Sequence, residues 1–259
     1  MSGSLRILVC VKRVPAPGAR ISLTDDAQAV DASFLAFTTS PHEECAVEAA
    51  VQLIEAHGGE TTVLTLGPPE AEEQLRYAVS VGVQKAVLCR IDDNDWEPQR
   101  TARAITDSIV ELEAADGPFD LVLFGNESAD SGGFQVGIRV GCALDRPTVN
   151  GAKGLEIVDG TARIERDAEA GRERYIIDLP AVVGVKEGIT LPRYPTMKGR
   201  LASKKADVHA ADARGEPGGQ TMVGLRQPPE QASATTMLGE GVDAAAAVVD
   251  LLEELGVLG

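Results

Sequence analysis

The residues best suited to chemistry form one loop: Gly125, Asn126, Glu127, Ser128, Ala129, Asp130, Ser131, Gly132, Gly133, Phe134, Gln135, Val136 and Gly137. They directly follow the apolar run Asp120-Leu121-Val122-Leu123-Phe124. A buried strand that ends in a glycine-rich, hydroxyl-bearing loop and then feeds a helix aims several backbone N–H groups at one place, the arrangement that holds phosphate and other anions. The spacing predicts a nucleotide site. It is not a P-loop, because no Gly-Lys-Ser/Thr follows, and it lacks the Gly-x-Gly-x-x-Gly dinucleotide fingerprint. An α/β unit that merely turns a corner also uses glycine and hydroxyl residues, so the loop alone leaves a ligand-free turn open.

A second position suits anions. Ser40-Pro41-His42-Glu43 places an N-cap serine, a proline at the first helical position and a glutamate at the third, a capping box that starts a helix. Elsewhere the histidines are scattered, no nucleophile is paired with a base, and no metal-ligand cluster is spelled out, so the chain reads as a binder rather than a catalyst. Cys10, Cys45, Cys89 and Cys142 are far apart in apolar stretches without a Cys-x-x-Cys motif, which predicts buried free thiols and a reducing compartment.

The elements that must carry these residues alternate in type. Near-continuous apolar runs at Leu5–Val11, Thr61–Leu66, Ala86–Ile91, Asp120–Phe124 and Leu179–Val185 predict strands buried on both faces. Helices are expected from Pro41 to the Gly58-Gly59 stop, over Glu70–Val81 and Glu97–Glu113, and at about Gln135–Leu144. The expected fold is therefore α/β, a doubly wound, mostly parallel sheet. Two segments break the rhythm. Val14–Phe37 predicts a small hairpin between Ile21-Ser22-Leu23 and Ala29-Val30, and residues 151–178 predict an antiparallel meander turning at Asp159-Gly160 and Ala170-Gly171.

At 259 residues and a net charge of −16, the chain can bury a full core, and its charge opposes binding to nucleic acid or anionic membrane. With neither a leader-like start nor a long apolar run, it is expected to be cytoplasmic and not membrane-embedded. Residues 191–214 are a basic island in an acidic protein, with Arg193, Lys198, Arg200, Lys204, Lys205 and Arg214 against Asp207 and Asp212. Residues 215–241 are rich in Gly, Pro, Gln, Ser and Thr, and Val242–Leu255 resumes a helical pattern. Three parts are expected: a nucleotide-binding domain over 1–190, a partner-recognition loop and basic segment over 191–214, and a C-terminal arm over 215–259. The arm's helix either docks on a partner or folds back on its own domain.

Several separate motifs in order carry a family resemblance. They are Val9-Cys10-Val11-Lys12-Arg13-Val14, Pro41-His42-Glu43-Glu44-Cys45-Ala46-Val47-Glu48-Ala49-Ala50, Gly67-Pro68, the Gly125–Gly137 loop, Arg166-Asp167, Leu179-Pro180-Ala181-Val182-Val183-Gly184, Pro192-Arg193-Tyr194-Pro195-Thr196-Met197-Lys198-Gly199 and Pro228-Pro229. Across nearly its whole length the chain resembles the β subunit of an electron-transfer flavoprotein.

The resemblance implies a sheet of the adenine-nucleotide-binding type and a larger α subunit that holds a redox-active FAD. Such a heterodimer takes electrons from flavin dehydrogenases and passes them to a quinone-linked or other acceptor. In the β subunit the pocket holds AMP without a redox role, or a second FAD in electron-bifurcating members. Carried over by position, Cys10 lines the adenine pocket, Ser40, Pro41, His42 and Glu43 approach the nucleotide from the helix start, and Leu66 ends the next strand. Gly125 through Val136 wrap the ribose and phosphate. Met197 stands at the apex of the partner-recognition loop, with Lys204 and Lys205 at its basic end.

The chain departs from the family at His42, Glu43 and Ser131-Gly132-Gly133-Phe134. Plain alternatives stand beside these roles: His42 with its ring in solvent, Asp130 as a turn stabiliser, Met197 packed under its loop, and Lys204-Lys205 as a solvated pair. Two other classes compete. Asp130-Ser131-Gly132-Gly133 is similar to part of the ATP-pyrophosphatase loop but lacks its later Asp-Ser, and a partnerless nucleotide-binding stress protein would need neither the meander nor the arm.

Overall fold

The computed structural model describes residues 4–91, 96–216, 218–229 and 235–258. Met1-Ser2-Gly3, with residues 217, 230–234 and 259 of the expected arm, lie outside the described residues. Two compact units divide at Leu225/Arg226.

In the first unit, β1 (Leu5–Val11) is buried on both sides of the sheet, as its near-continuous apolar run, broken only by Arg6, requires. Two short strands, β2 (Val14–Pro15) and β3 (Phe37–Thr38), pair antiparallel before the capped helix α1 (Pro41–His57). The expected hairpin between them shrinks to one bridge, Leu23 with Val30. Its two sides are too short to add further ladder bonds. There follow β4 (Gly59–Gly67), α2 (Glu72–Ser80), β5 (Lys85–Arg90), α3 (Pro98–Asp116), β6 (Leu121–Gly125) and α4 (Val136–Ala143). The meander is β7 (Thr148–Val158), β8 (Thr161–Ala168) and β9 (Gly171–Asp178), and β10 (Ala181–Val185) returns to the centre.

The segment expected as a loop over 191–214 instead contains α5 (Met197–Lys205) and the edge strand β11 (Val208–Asp212). Thr196 caps α5 by accepting from the Gly199 N–H at 3.0 Å.

Among the described residues nine strands form one sheet in the order β11-β5-β4-β1-β6-β10-β7-β8-β9. Seven run parallel, and β8 and β9 are antiparallel extensions. Along β1 the side chains alternate between two cores. Leu5, Ile7, Val9 and Val11 join the cluster under α1 and α2, whereas Leu8 and Cys10 join the one under α3 and α4. Each fully buried Leu or Ile contributes about 2 kcal/mol of apolar burial.

From β1 the chain winds outward through β4 to β5, then α3 carries it back across to β6 on the other side of β1. The order reverses between β1 and β6, and α/β sheets bind ligands outside the carboxyl ends of strands at such a switch point. The Gly125 loop leaves β6 there.

The second unit has a short 3₁₀ turn, Gly241–Ala244, leading into α6 (Ala245–Glu254). None of the α6 residues is buried, and Val248, Val249 and Leu251 face solvent.

Candidate functional site

Three segments converge at the switch point: the end of β1 at Lys12, the N-terminus of α1, and the loop after β6. The α1 start has the predicted capping box, with Ser40 Oγ accepting from the Glu43 N–H at 3.2 Å and Glu43 Oε2 accepting from the Ser40 N–H at 3.0 Å. Gly125 is the surface against which this box closes. A Cβ there would lie 2.8 Å from Glu43 Cγ and 3.3 Å from His42 Cβ, so only glycine lets the strand end approach the helix start. Burial pushes the Glu43 carboxyl up to about 7, against hydrogen bonds from the Ser40 and Lys12 backbones that favour its charged form.

Lys12 fastens the loop. Its Nζ donates to Ser128 Oγ at 3.1 Å and to Asp130 Oδ1 at 2.8 Å, and Ser128 in turn donates to Asp130. Burial raises the Asp130 carboxyl, but the Lys12 ammonium and the hydrogen bonds from Lys12 and Ser128 outweigh it and hold the group below the usual carboxylate range. Within the loop the Ser128 N–H donates to the Gly133 carbonyl at 3.0 Å and the Gly132 N–H to the Ser128 carbonyl at 2.8 Å. Gly132 takes a positive φ of 62° to close this turn.

His42 is not in solvent but buried, and both of its nitrogens are engaged. Nδ1 accepts from the Glu187 N–H at 2.8 Å, which assigns the ring proton to Nε2, and Nε2 lies 3.4 Å from Glu127 Oε1. The loop is thus tied to β1 through Lys12 and to α1 through His42.

The other expected residues divide by position. Cys10, Leu66 and Val136 belong to the apolar layer under α3 and α4, with Phe124. Burial pushes the Cys10 thiol well up, with Cys89 and Glu43 adding, which favours the neutral thiol packed in this layer. Asn126 receives the Asn150 side-chain amide on its carbonyl at 3.3 Å. Ala129, Ser131, Gly132, Phe134 and Gln135 line the exposed outer rim. Gln135 stands at the N-cap of α4 without capping it, its Oε1 instead accepting from Arg139 Nε at 3.1 Å and Nη2 at 3.0 Å. The first N–H groups of α4 therefore lack a side-chain cap, the usual condition at an anion-binding helix start. Cys142 departs from the expectation of a buried thiol and is exposed, because it lies on the solvent side of α4.

Met197 is not at a loop apex. It opens α5, which is docked on α2 by Arg76 donating to the Ser203 carbonyl at 2.5 Å and by Gly199, whose added Cβ would meet the Ser80 carbonyl. Met197 stays 75% exposed, and Lys204 and Lys205 lie exposed in the last turn of α5. That places them where cations complement the helix dipole.

Sequence reasoning missed Lys12 as a site residue, although a lysine directly after a buried strand that faces an acidic loop was a usable signal. It also missed the Glu187 N–H, which no side-chain pattern could reveal. Taken together, the switch point offers two helix starts, a glycine that lets strand end and helix start approach, and a locked hydroxyl- and carboxylate-bearing loop. This combination suits a ligand with an anionic end and sugar hydroxyls.

The electron transfer flavoprotein domain model matches residues 35–214. The chain is 34% identical over 221 residues to the electron transfer flavoprotein subunit beta of Bacillus subtilis (strain 168), covering 82% of this chain and 84% of that relative. It is 32% identical over 231 residues to the protein of the same description from Syntrophomonas wolfei, covering 89% and 88%. Protein FixA of Sinorhizobium fredii is similar at 29% over 210 residues, covering 79% and 73%.

Proposed function

This chain belongs to the electron transfer flavoprotein domain family, and from that premise we propose that it is the β subunit of a heterodimeric electron carrier that binds AMP in its own pocket. The α subunit holds the redox-active FAD. The pair accepts electrons from flavin dehydrogenases and delivers them to a quinone-linked or other acceptor in the cytoplasm. The names of the B. subtilis and S. wolfei relatives as beta subunits support the two-chain arrangement.

The observation that carries the nucleotide reading is the convergence of three segments at the switch point, where Glu43 packs against Gly125 and Lys12 locks Ser128 and Asp130. Residues Ser40–Glu43 approach the nucleotide from α1, Gly125–Val136 surround its ribose and phosphate, and Cys10 and Leu66 form the apolar floor. The uncapped start of α4 supplies N–H groups to the phosphate. The chain's own work is binding and positioning, and electron transfer belongs to the flavin. Met197 anchors a partner dehydrogenase, with Lys204 and Lys205 steering acidic surface toward it. The C-terminal arm, with the unburied helix α6, docks on the α subunit.

The test is to purify the chain with its α subunit, denature the complex and count released nucleotides by chromatography. One FAD and one AMP per heterodimer is the expected result. Two FAD would replace AMP by a second flavin, as in the two-flavin form, and no nucleotide beyond the FAD of the α subunit would remove the pocket assignment.

A further inference from the structure

An ion-pair cluster that the nucleotide cleft does not use lies between α1 and the segment leading into α5. Arg193 Nε donates to Glu48 Oε2 at 2.8 Å and Nη2 to Glu48 Oε1 at 2.9 Å, a bidentate pair. The same guanidinium reaches Glu55, Nη1 to Oε1 at 2.6 Å and Nη2 to Oε2 at 2.9 Å. The Arg193 backbone N–H also donates to Glu48 Oε2, at 3.2 Å. Glu48 is only 3% exposed, and Gln52 donates to its Oε1 at 2.7 Å. A buried carboxylate held in this way needs its cation, and removing one partner of such a pair is strongly unfavourable.

Glu48 and Glu55 stand two turns apart on α1, so the planar fork lies along the helix and fixes both the backbone and the side chain of Arg193. Pro192 and Pro195 restrict the chain on either side. Around this fixed point Leu191 (87% exposed), Tyr194 (90%) and Met197 are held out in solvent. Large apolar side chains on a free connecting segment would each lose conformational freedom on meeting a partner, whereas a pinned segment has already lost it.

We propose that Arg193 is the positioning residue of the partner-docking surface, pinning residues 191–197 to α1 so that Tyr194 and Met197 present one preorganised face to a flavin dehydrogenase. This rests on the reading above that Met197 meets that partner. Helix α1 then serves two tasks along its length: its first turn packs against the Gly125 loop, and its later turns hold the docking segment. The two tasks are separable, because Glu48 and Glu55 make none of the contacts at Gly125 or Lys12 described above.

The test uses the purified heterodimer with Arg193→Gln, Arg193→Lys, and Arg193→Gln combined with Glu48→Gln, which leaves no unpaired buried charge. The readouts are amide hydrogen exchange of the 191–200 segment and steady-state electron transfer from a flavin dehydrogenase that the wild-type heterodimer accepts. Arg193→Gln should speed exchange in that segment roughly tenfold or more and raise the KM for the dehydrogenase roughly tenfold, with kcat and nucleotide content unchanged. The double variant should raise KM equally, and lysine should restore only part because one point charge cannot bridge two carboxylates. Unchanged exchange overturns the pin whatever the partner does. Faster exchange with an unchanged KM overturns its role in docking, as does a fall in kcat that tracks lost nucleotide. The reading beneath it fails separately, when Met197→Asp leaves KM at its wild-type value.

Discussion

Glu43 gives the cleft a pH dependence with a defined sign. In the unfolded chain its carboxyl titrates near 4.5, and in the folded chain burial moves it to about 7. Between these values the unfolded chain has released a proton that the folded one keeps. The favourable contribution is therefore complete below about pH 4.5 and lost as pH rises through 7, amounting to about 3 kcal/mol. Glu43→Gln keeps an oxygen for the Ser40 N–H but cannot ionise, so thermal melts across pH 4.5–8 should lose this slope, and the variant should be the more stable form at pH 8. A slope equal to wild type would place the titration elsewhere. At Gly125 an alanine would push into Glu43, costing about 1–3 kcal/mol, and should weaken AMP retention, read as nucleotide recovered per heterodimer after gel filtration. The capping box was legible from Ser40 and Glu43 because capping is local. The burial of Glu43 was not, because it depends on a strand end far along the sequence, and neither was His42, whose burial depends on the Glu187 backbone.

At the scale of elements, what could be read followed hydrophobic contrast. β1, β4, β5 and β6 show as apolar runs because they are buried on both faces, and the meander shows by its turn residues. β11 did not show, because Val208-His209-Ala210-Ala211-Asp212 is an edge strand of small and polar residues paired on one side only. α5 was hidden because its sequence is basic and its apolar residues Met197 and Leu201 point outward, its order coming from the Thr196 cap and from docking on α2. That outward display makes α5 testable by itself. Met197→Asp should slow electron transfer from the dehydrogenase through a raised KM, with the AMP content of the heterodimer unchanged. An unchanged rate would return Met197 to ordinary surface.

For the molecule as a whole, the order of the parallel strands places a switch point at the reversal between β1 and β6, and topology of this kind was implied once strands and helices alternated. The part that sequence could not resolve is the C-terminal unit, because a helix without buried residues has no partner within its own pattern. If α6 docks on the α subunit, its amides should exchange freely in the isolated chain and become protected in the heterodimer, while β1, β4 and β6 stay slow in both. Equal exchange in the two states would leave the arm without that role.

The most direct measurement is photolabelling of the heterodimer with 8-azido-AMP, followed by peptide mapping. Label confined to the peptides carrying Cys10, residues 40–43, Leu66 or residues 125–136, and lost on competition with AMP, is the predicted result. Competed label on other peptides, with these clean, would contradict the assignment of the nucleotide to the Gly125 cleft.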